Sequence, residues 1–240
     1  MGPPCGQLDP TIDGLYEVLY NIYKETFELF EQPDIYHMGG DEVTSSCWKM
    51  KESIVDWMTE MEWGQEESDF HKLWGYFQKK ALEKLYEVSD RKTKAILWTS
   101  TLTEIYADEY LGKDDYIIHI WTNSTNPQIM DLLEKGYDLI MSNYDSFYLD
   151  CGFGSWVKTG NNWCTPYKPW HAFYNNNLEK IAGEYKSQIL GGEGCLWSSL
   201  NDEYSLDSRL WPRLSALGER LWAEPDTNYR DAEDRILLHR

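Results

Sequence analysis

The stretch Ile35-Tyr36-His37-Met38-Gly39-Gly40-Asp41-Glu42-Val43 decides the reading of this chain. Its front half is a short apolar segment of buried-strand type. It ends on two glycines, which let the backbone turn tightly and leave room for a ligand. Two adjacent carboxylates then stand at the strand's end, where they repel each other and compete for solvation, so at least one pKa is expected to rise. A general acid working near neutral pH requires such a rise. An arbitrary Asp-Glu pair is more often a solvated cap on the next helix. The paired glycines, the preceding strand and the tryptophans at other strand ends argue against that here.

Outward from this stretch the pattern repeats. Residues 11–30 carry Leu15, Leu19, Ile22, Tyr23, Phe27 and Phe30 at helical spacing, opened by Asp9-Pro10. Helical patterns also cover residues 68–88, 127–135 and 210–221, and strand patterns cover 95–98, 116–121, 138–142 and 188–192. Five buried-type strands, each followed by a helix or a long loop, predict βα units on a parallel sheet. Polar or aromatic residues stand at every strand's C-terminal end: Asp41-Glu42, Trp98, Trp121, Asn143 onward, and residues 193–197. That distribution predicts an α/β chain of the (β/α)₈ TIM-barrel type. A doubly wound open sheet would need a Gly-rich phosphate loop, and none follows any strand. Five strands do not close a barrel. The expectation is therefore an incomplete one, holding about the last five βα units with three strands preceding residue 1. Expressed alone, its open apolar sheet edges predict insolubility or inactivity.

A length of 240 residues with 42% hydrophobic content suits one domain with a sizeable core. The net charge of −19 argues against nucleic acid or an anionic membrane as partner. No apolar run reaches the ~18 residues that span a bilayer, and Met1-Gly2-Pro3-Pro4-Cys5 has neither region of a signal peptide. The chain holds 12 Trp and 17 Tyr; large core side chains are one reading, flat surfaces for sugar C–H faces the other. Five cysteines are an odd number, and no CxxC pair or Cys/His cluster points to zinc, so no metal and no cofactor is expected. Cys151 and Cys164 bracket a Gly-, Trp- and Asn-rich stretch where a disulfide would stabilise a loop. Asn123-Ser124-Thr125 is a glycosylation sequon.

The segment HxGGDE followed by Cys47-Trp48 resembles the β-N-acetylhexosaminidases of glycoside hydrolase family 20. So do Leu97-Trp98, Ile120-Trp121, Tyr148-Leu149-Asp150-Cys151, Gly191-Gly192-Glu193, Leu196-Trp197, Arg209-Leu210-Trp211-Pro212-Arg213 and Glu219-Arg220-Leu221-Trp222. The likeness runs in one order from Pro3 to the end. The opening Pro3-Pro4-Cys5-Gly6-Gln7-Leu8 and the stretch Gly160-Asn161-Asn162-Trp163-Cys164 look most like the insect chitooligosaccharide-degrading members. The resemblance implies that residues 1–240 are part of the family's catalytic domain, without its early strands and its N-terminal non-catalytic domain.

It also implies exo-acting, retaining hydrolysis of terminal N-acetyl-β-D-hexosamine from chitooligosaccharides or glycoconjugates. The substrate's own acetamido oxygen is the nucleophile and an oxazolinium the intermediate, an exception to the two-carboxylate scheme. Glu42 then resembles the acid and base, Asp41 the anion that orients the acetamido N–H, and Tyr148 the hydroxyl donor to the acetamido oxygen. Trp98, Trp121 and Trp197 resemble pocket walls, Asp150 a ligand of sugar hydroxyls, and Trp163 a platform for the next sugar. His37 resembles a support behind the pair, with a packed core histidine as its other reading. Trp156 is read as a loop-packing aromatic or a lid, and Trp211 and Trp222 as core.

Cys151 and Cys164 resemble a loop-locking disulfide, worth ~3 kcal/mol on an entropic estimate. Cys47 pairs either upstream of residue 1 or with Cys5, and Cys195 is read as a buried free thiol. The implied partner is an N-acetylglucosamine-terminated oligosaccharide or glycan, with a homodimer in the complete protein and a secreted or lysosomal setting. Three departures weigh on the other side. Ser199 replaces the family's usual glutamate, with Asp202 or Glu203 as candidate substitutes. The sugar-gripping arginine of the early strands is expected before residue 1. Met1 and Gly2 stand where the insect enzymes touch the second sugar. A catalytically impaired sugar-binding homologue is the second reading, and a chitin-cleaving endo-enzyme would be expected to carry a DxxDxDxE-like strand, which is missing.

Overall fold

A computed structural model describes residues 6–154 and 158–238. Met1, Gly2, Cys5 and Trp156, with the readings given them above, therefore lie outside the described residues. Five strands form one sheet in chain order β1-β2-β3-β4-β5, and the chain divides into two compact units, Met1–Ile117 and Ile118–Arg240. Strand β3 (Tyr116–Ile120) runs through the division.

In the first unit, helix α1 (Asp13–Leu29) is followed by β1 (Ile35–His37), the short α2 (Ser45–Lys49) and α3 (Glu52–Glu60). The long α4 (Glu67–Ser89), β2 (Lys94–Trp98), α5 (Thr101–Ile105) and α6 (Ala107–Tyr110) complete it. Strands β1 and β2 pair in parallel, Tyr36 opposite Ala95. Helix α4 starts where its pattern predicts because Glu66 and Asp69 form a reciprocal capping box. The stripe that α1 buries is Tyr16, Tyr23 and Phe27, while Ile22 and Phe30 are exposed. That is a correction to the expected apolar face. The rings choose the rotation: Tyr23 and Phe27 lie 5.0 and 5.9 Å from Tyr36 on β1, and Tyr16 lies 6.2 Å from Phe77 on α4. The Tyr16 hydroxyl stays satisfied by donating to the Pro10 carbonyl at 2.7 Å.

The second unit holds α7 (Gln128–Glu134), β4 (Asp138–Met141), α8 (Trp170–Asn175), α9 (Leu178–Ala182) and β5 (Ile189–Gly192). Helices α10 (Leu206–Leu210), α11 (Arg213–Ala223) and α12 (Tyr229–Leu238) follow. Strands β4 and β5 pair in parallel, with a register shift between Leu139 and Ile140. The helix expected over 210–221 is split at Trp211, whose backbone is extended, because the proline after it disfavours the helical region.

Helix α11 turns Arg213, Ala216, Leu217 and Arg220 inward and packs on α8. Trp211 and Trp222 are 50% and 93% exposed, which overturns their reading as core. Two fully buried arginines take that space instead. Arg220 donates from Nε to the Tyr174 carbonyl at 2.7 Å and from Nη1 to the Pro225 carbonyl at 2.7 Å.

Phe173 of α8 is fully buried, 5.8 Å from Phe147. Phe173→Ala is expected to lower the unfolding free energy of this unit by about 3–5 kcal/mol, read from the denaturant midpoint. An unchanged midpoint would contradict this packing.

Candidate active site

In the first unit the site is built on the end of β1. The Met38 N–H donates to the Ile96 carbonyl at 2.9 Å and the Trp98 N–H to the Gly39 carbonyl at 3.0 Å, so pairing outlasts the regular strand. The chain then turns through Gly39 and Gly40 with φ of +70° and +87°. A Cβ on Gly40 would come within 3.1 Å of Leu97, so position 40 demands glycine on two counts. Glu42 is also left-handed, φ +54°, a conformation costing a non-glycine residue about 1 kcal/mol. As a result Asp41 is half-buried and Glu42 exposed.

Burial lifts the Asp41 carboxyl above its ordinary range, its own backbone N–H draws it back, and the Glu42 charge pushes it up again. The expected rise thus falls on Asp41, chiefly by desolvation rather than repulsion. His37 Nδ1 accepts from the Gly39 N–H at 3.0 Å, which leaves its proton on Nε2. Its ring lies 4.7 Å from that of Trp98, and desolvation lowers its pKa to about 4. The structure thus brings the rings of His37 and Trp98 together at the ends of β1 and β2, with His37 exposed rather than a packed core histidine.

In the second unit five aromatic residues meet. The Trp163 ring lies 6.0 Å from Trp121, 5.9 Å from Tyr148 and 5.1 Å from Tyr144, and Tyr148 lies 6.4 Å from Trp197. Tyr148 is buried, whereas Trp163 and Trp197 are 63% and 45% exposed. Asp150 is buried, with its Oδ1 lacking a partner among the described residues. Its carboxyl is raised by desolvation and drawn back by its own and the Trp197 backbone N–H and by the charges of Arg213 and Arg209.

The loop beyond is held by the Cys151–Cys164 disulfide, Cα to Cα 5.1 Å, and by Asn162. The Asn162 amide donates to the Asp150 carbonyl at 2.9 Å and accepts the Gly152 N–H at 3.0 Å. Gly152 has φ +87°, and a Cβ there would lie 2.2 Å from the Tyr167 nitrogen.

Several residues were legible only once folded. Tyr144 carries no motif, and Asn162 stood in the Gly160–Cys164 stretch without a role. Arg213 stood in a motif without a role; it is fully buried and donates from Nη2 to the Leu149 carbonyl at 2.7 Å, next to Asp150. Cys47 is disulfide-bonded, its partner lying outside the described residues, and Cys195 is a buried free thiol. Ser199 is exposed in a short 3₁₀ turn. Asp202, a candidate substitute for the missing carboxylate, is committed to its own turn and accepts from the Ser205 N–H at 2.9 Å and hydroxyl at 2.7 Å. Among the described residues no helix is long and apolar enough to cross a membrane.

A carboxylate pair on a glycine turn in one unit and, in the other, an aromatic cluster with a buried acid are each features met in carbohydrate-active proteins. Residues 1–225 match the model of the glycosyl hydrolase family 20 catalytic domain, and the chain belongs to that family. It is 55% identical over 236 residues to a chitooligosaccharidolytic β-N-acetylglucosaminidase of Ostrinia furnacalis, covering 98% of this chain and 40% of that protein. It is 32% identical to the human β-hexosaminidase subunit β, covering 98% of this chain and 38% of the relative. The chain thus spans about two-fifths of the length of these relatives. The fold matches a solved family 20 exo-β-N-acetylglucosaminidase from Vibrio harveyi, with a TM-score of 0.77 at 22% identity over 97% of this chain and 35% of that one.

The lowered His37 pKa has a thermodynamic consequence. Between the ordinary value of about 6.5 and about 4 the unfolded chain binds the proton and the folded one does not, so stability rises with pH through that window. The contribution is complete above about 6.5 and is lost as pH falls through about 4. His37→Gln is expected to flatten the pH dependence of the unfolding free energy over this window. An unchanged slope would show that His37 titrates normally.

Proposed function

We propose that this chain carries out exo-acting hydrolysis of terminal N-acetyl-β-D-hexosamine residues by a retaining, substrate-assisted route, its five strands forming part of a (β/α)₈ barrel. The observation that carries the reading is the buried Asp150 oxygen, without a partner among the described residues, beside the Tyr148–Trp163–Trp197 cluster. A buried acceptor without a donor is costly, and flat rings alongside suit sugar C–H faces. A hydroxyl-bearing ring satisfies both.

In this reading Glu42, exposed at the turn, protonates the leaving oxygen and later takes the proton of the incoming water. Asp41 accepts the acetamido N–H and steadies positive charge as it develops. Tyr148 donates to the acetamido oxygen, which attacks the anomeric carbon intramolecularly with a high effective molarity. Trp98, Trp121 and Trp197 wall the sugar and its N-acetyl group, and His37 holds the turn through the Gly39 N–H. The exposed Trp163 supports extension to a second sugar, so chitooligosaccharides are the favoured substrate class, as the name of the Ostrinia relative also suggests. Disulfide bonding supports a secreted or lysosomal setting, and assembly as a homodimer belongs to the same proposal.

Glu42→Gln is expected to lower hydrolysis of 4-nitrophenyl N-acetyl-β-D-glucosaminide by about 10²–10⁴-fold while N-acetylglucosamine binding, read by calorimetry, is retained. A wild-type protein that binds the sugar without turning it over would sink the reading.

A further inference from the structure

Ser142 follows the last residue of β4 and is fully buried. Its N–H donates to the Ile120 carbonyl of β3 at 2.7 Å. Its hydroxyl donates to the Glu193 carbonyl, just past β5, at 2.9 Å, and His119 Nε2 of β3 lies 2.6 Å from the same oxygen. A serine hydroxyl has one proton; with that proton given to Glu193, Ser142 Oγ accepts from His119, so the imidazole carries its proton on Nε2. The Ser142 hydroxyl also hydrogen-bonds the Cys195 thiol.

Cys195 in turn frames Tyr148. The two residues form an isolated parallel bridge, in which the Leu149 N–H donates to the Cys195 carbonyl at 2.7 Å and the Cys195 N–H to the Phe147 carbonyl at 3.0 Å. Ser142 therefore acts on Tyr148 from two directions. It anchors the start of the turn through Asn143 that leads to Tyr148, and it anchors the strand extension against which Tyr148 is paired.

We propose that His119 and Ser142 are positioning residues for the Tyr148 hydroxyl: their hydrogen-bonded chain to Glu193 and Cys195 sets where Tyr148 stands. The proposal rests on the reading of Tyr148 as the donor to the acetamido oxygen. Misplacement of such a donor by about 1 Å costs up to 10²-fold in rate, so one lost hydrogen bond in the chain is enough to register in kcat.

The test is a double-mutant cycle in the complete protein, with kcat and KM for 4-nitrophenyl N-acetyl-β-D-glucosaminide and the melting temperature measured for each variant. Ser142→Ala is expected to lower kcat about tenfold with KM changed less than about twofold, and to cause no further loss when added to Tyr148→Phe. Equal fold-losses in both backgrounds would mean that Ser142 does not act through Tyr148, and would overturn the proposal. A second pair decides the matter where Ser142→Ala does not fold. His119→Gln, which keeps an N–H donor, should stay within about threefold of wild type, whereas His119→Leu should lose about tenfold. Equal losses from the two would also overturn it. A wild type without hydrolysis brings down the functional reading and this inference together, whereas an active wild type with multiplicative losses brings down this inference alone.

Discussion

The main-chain pairing that continues past the end of β1 is the constraint on which the carboxylate turn depends. The Trp98 N–H holds the Gly39 carbonyl, and the Met38 N–H holds the Ile96 carbonyl. The chain is therefore fixed on its β2 side at the point where Gly39 and Gly40 swing it into left-handed backbone. Leu97 closes the space beside Gly40, so strand and turn define each other. Without that anchorage the left-handed Glu42 would relax, because the strain it carries of about 1 kcal/mol persists only where surrounding bonds over-determine it.

The second unit solves a different problem, that of burying charge. Arg213 and Arg220 are almost wholly buried, and each offers its guanidinium to main-chain carbonyls. A planar five-donor group is suited to collecting several carbonyls at once. Asp150 shows the converse arrangement. Desolvation lifts its carboxyl while the Trp197 N–H and the charges of Arg213 and Arg209 draw it down, and one oxygen has no donor among the described residues. An unmet buried acceptor costs about 1–3 kcal/mol. In the proposed reading a sugar hydroxyl removes that cost.

Much of this was legible from periodicity. The strands of 95–98, 116–121 and 138–142 match to within a residue, because continuous apolar runs of that length have few other homes. Helix α4 was legible from its spacing as well. What escaped was decided by partners distant in sequence. The burying face of α1 follows Tyr36 and Phe77 rather than its aliphatic residues. Trp211 and Trp222 share a helical spacing with true core residues, yet the inward side of α11 is set by the carbonyls that Arg213 and Arg220 reach. Tyr144 and Asn162 gain meaning only from the loop that the Cys151–Cys164 bridge closes. The short helices α2, α5 and α6 lack the length for a periodic signal.

The carboxylate pair itself was visible at once, but its asymmetry was not. Adjacent carboxylates in equal settings would share one shift between them; here the left-handed step at Glu42 gives them different settings, half-buried against exposed. Desolvation lifts Asp41, which by itself works against the anionic role proposed for it. A hydrogen bond donated to a carboxylate favours its charged form, and in the proposed reaction the acetamido N–H supplies that bond. The substrate then completes the ionisation of the group that orients it. An Asp41 held fully anionic in advance by a protein cation would gain less from the acetamido group and would discriminate less sharply between sugars that carry it and sugars that do not.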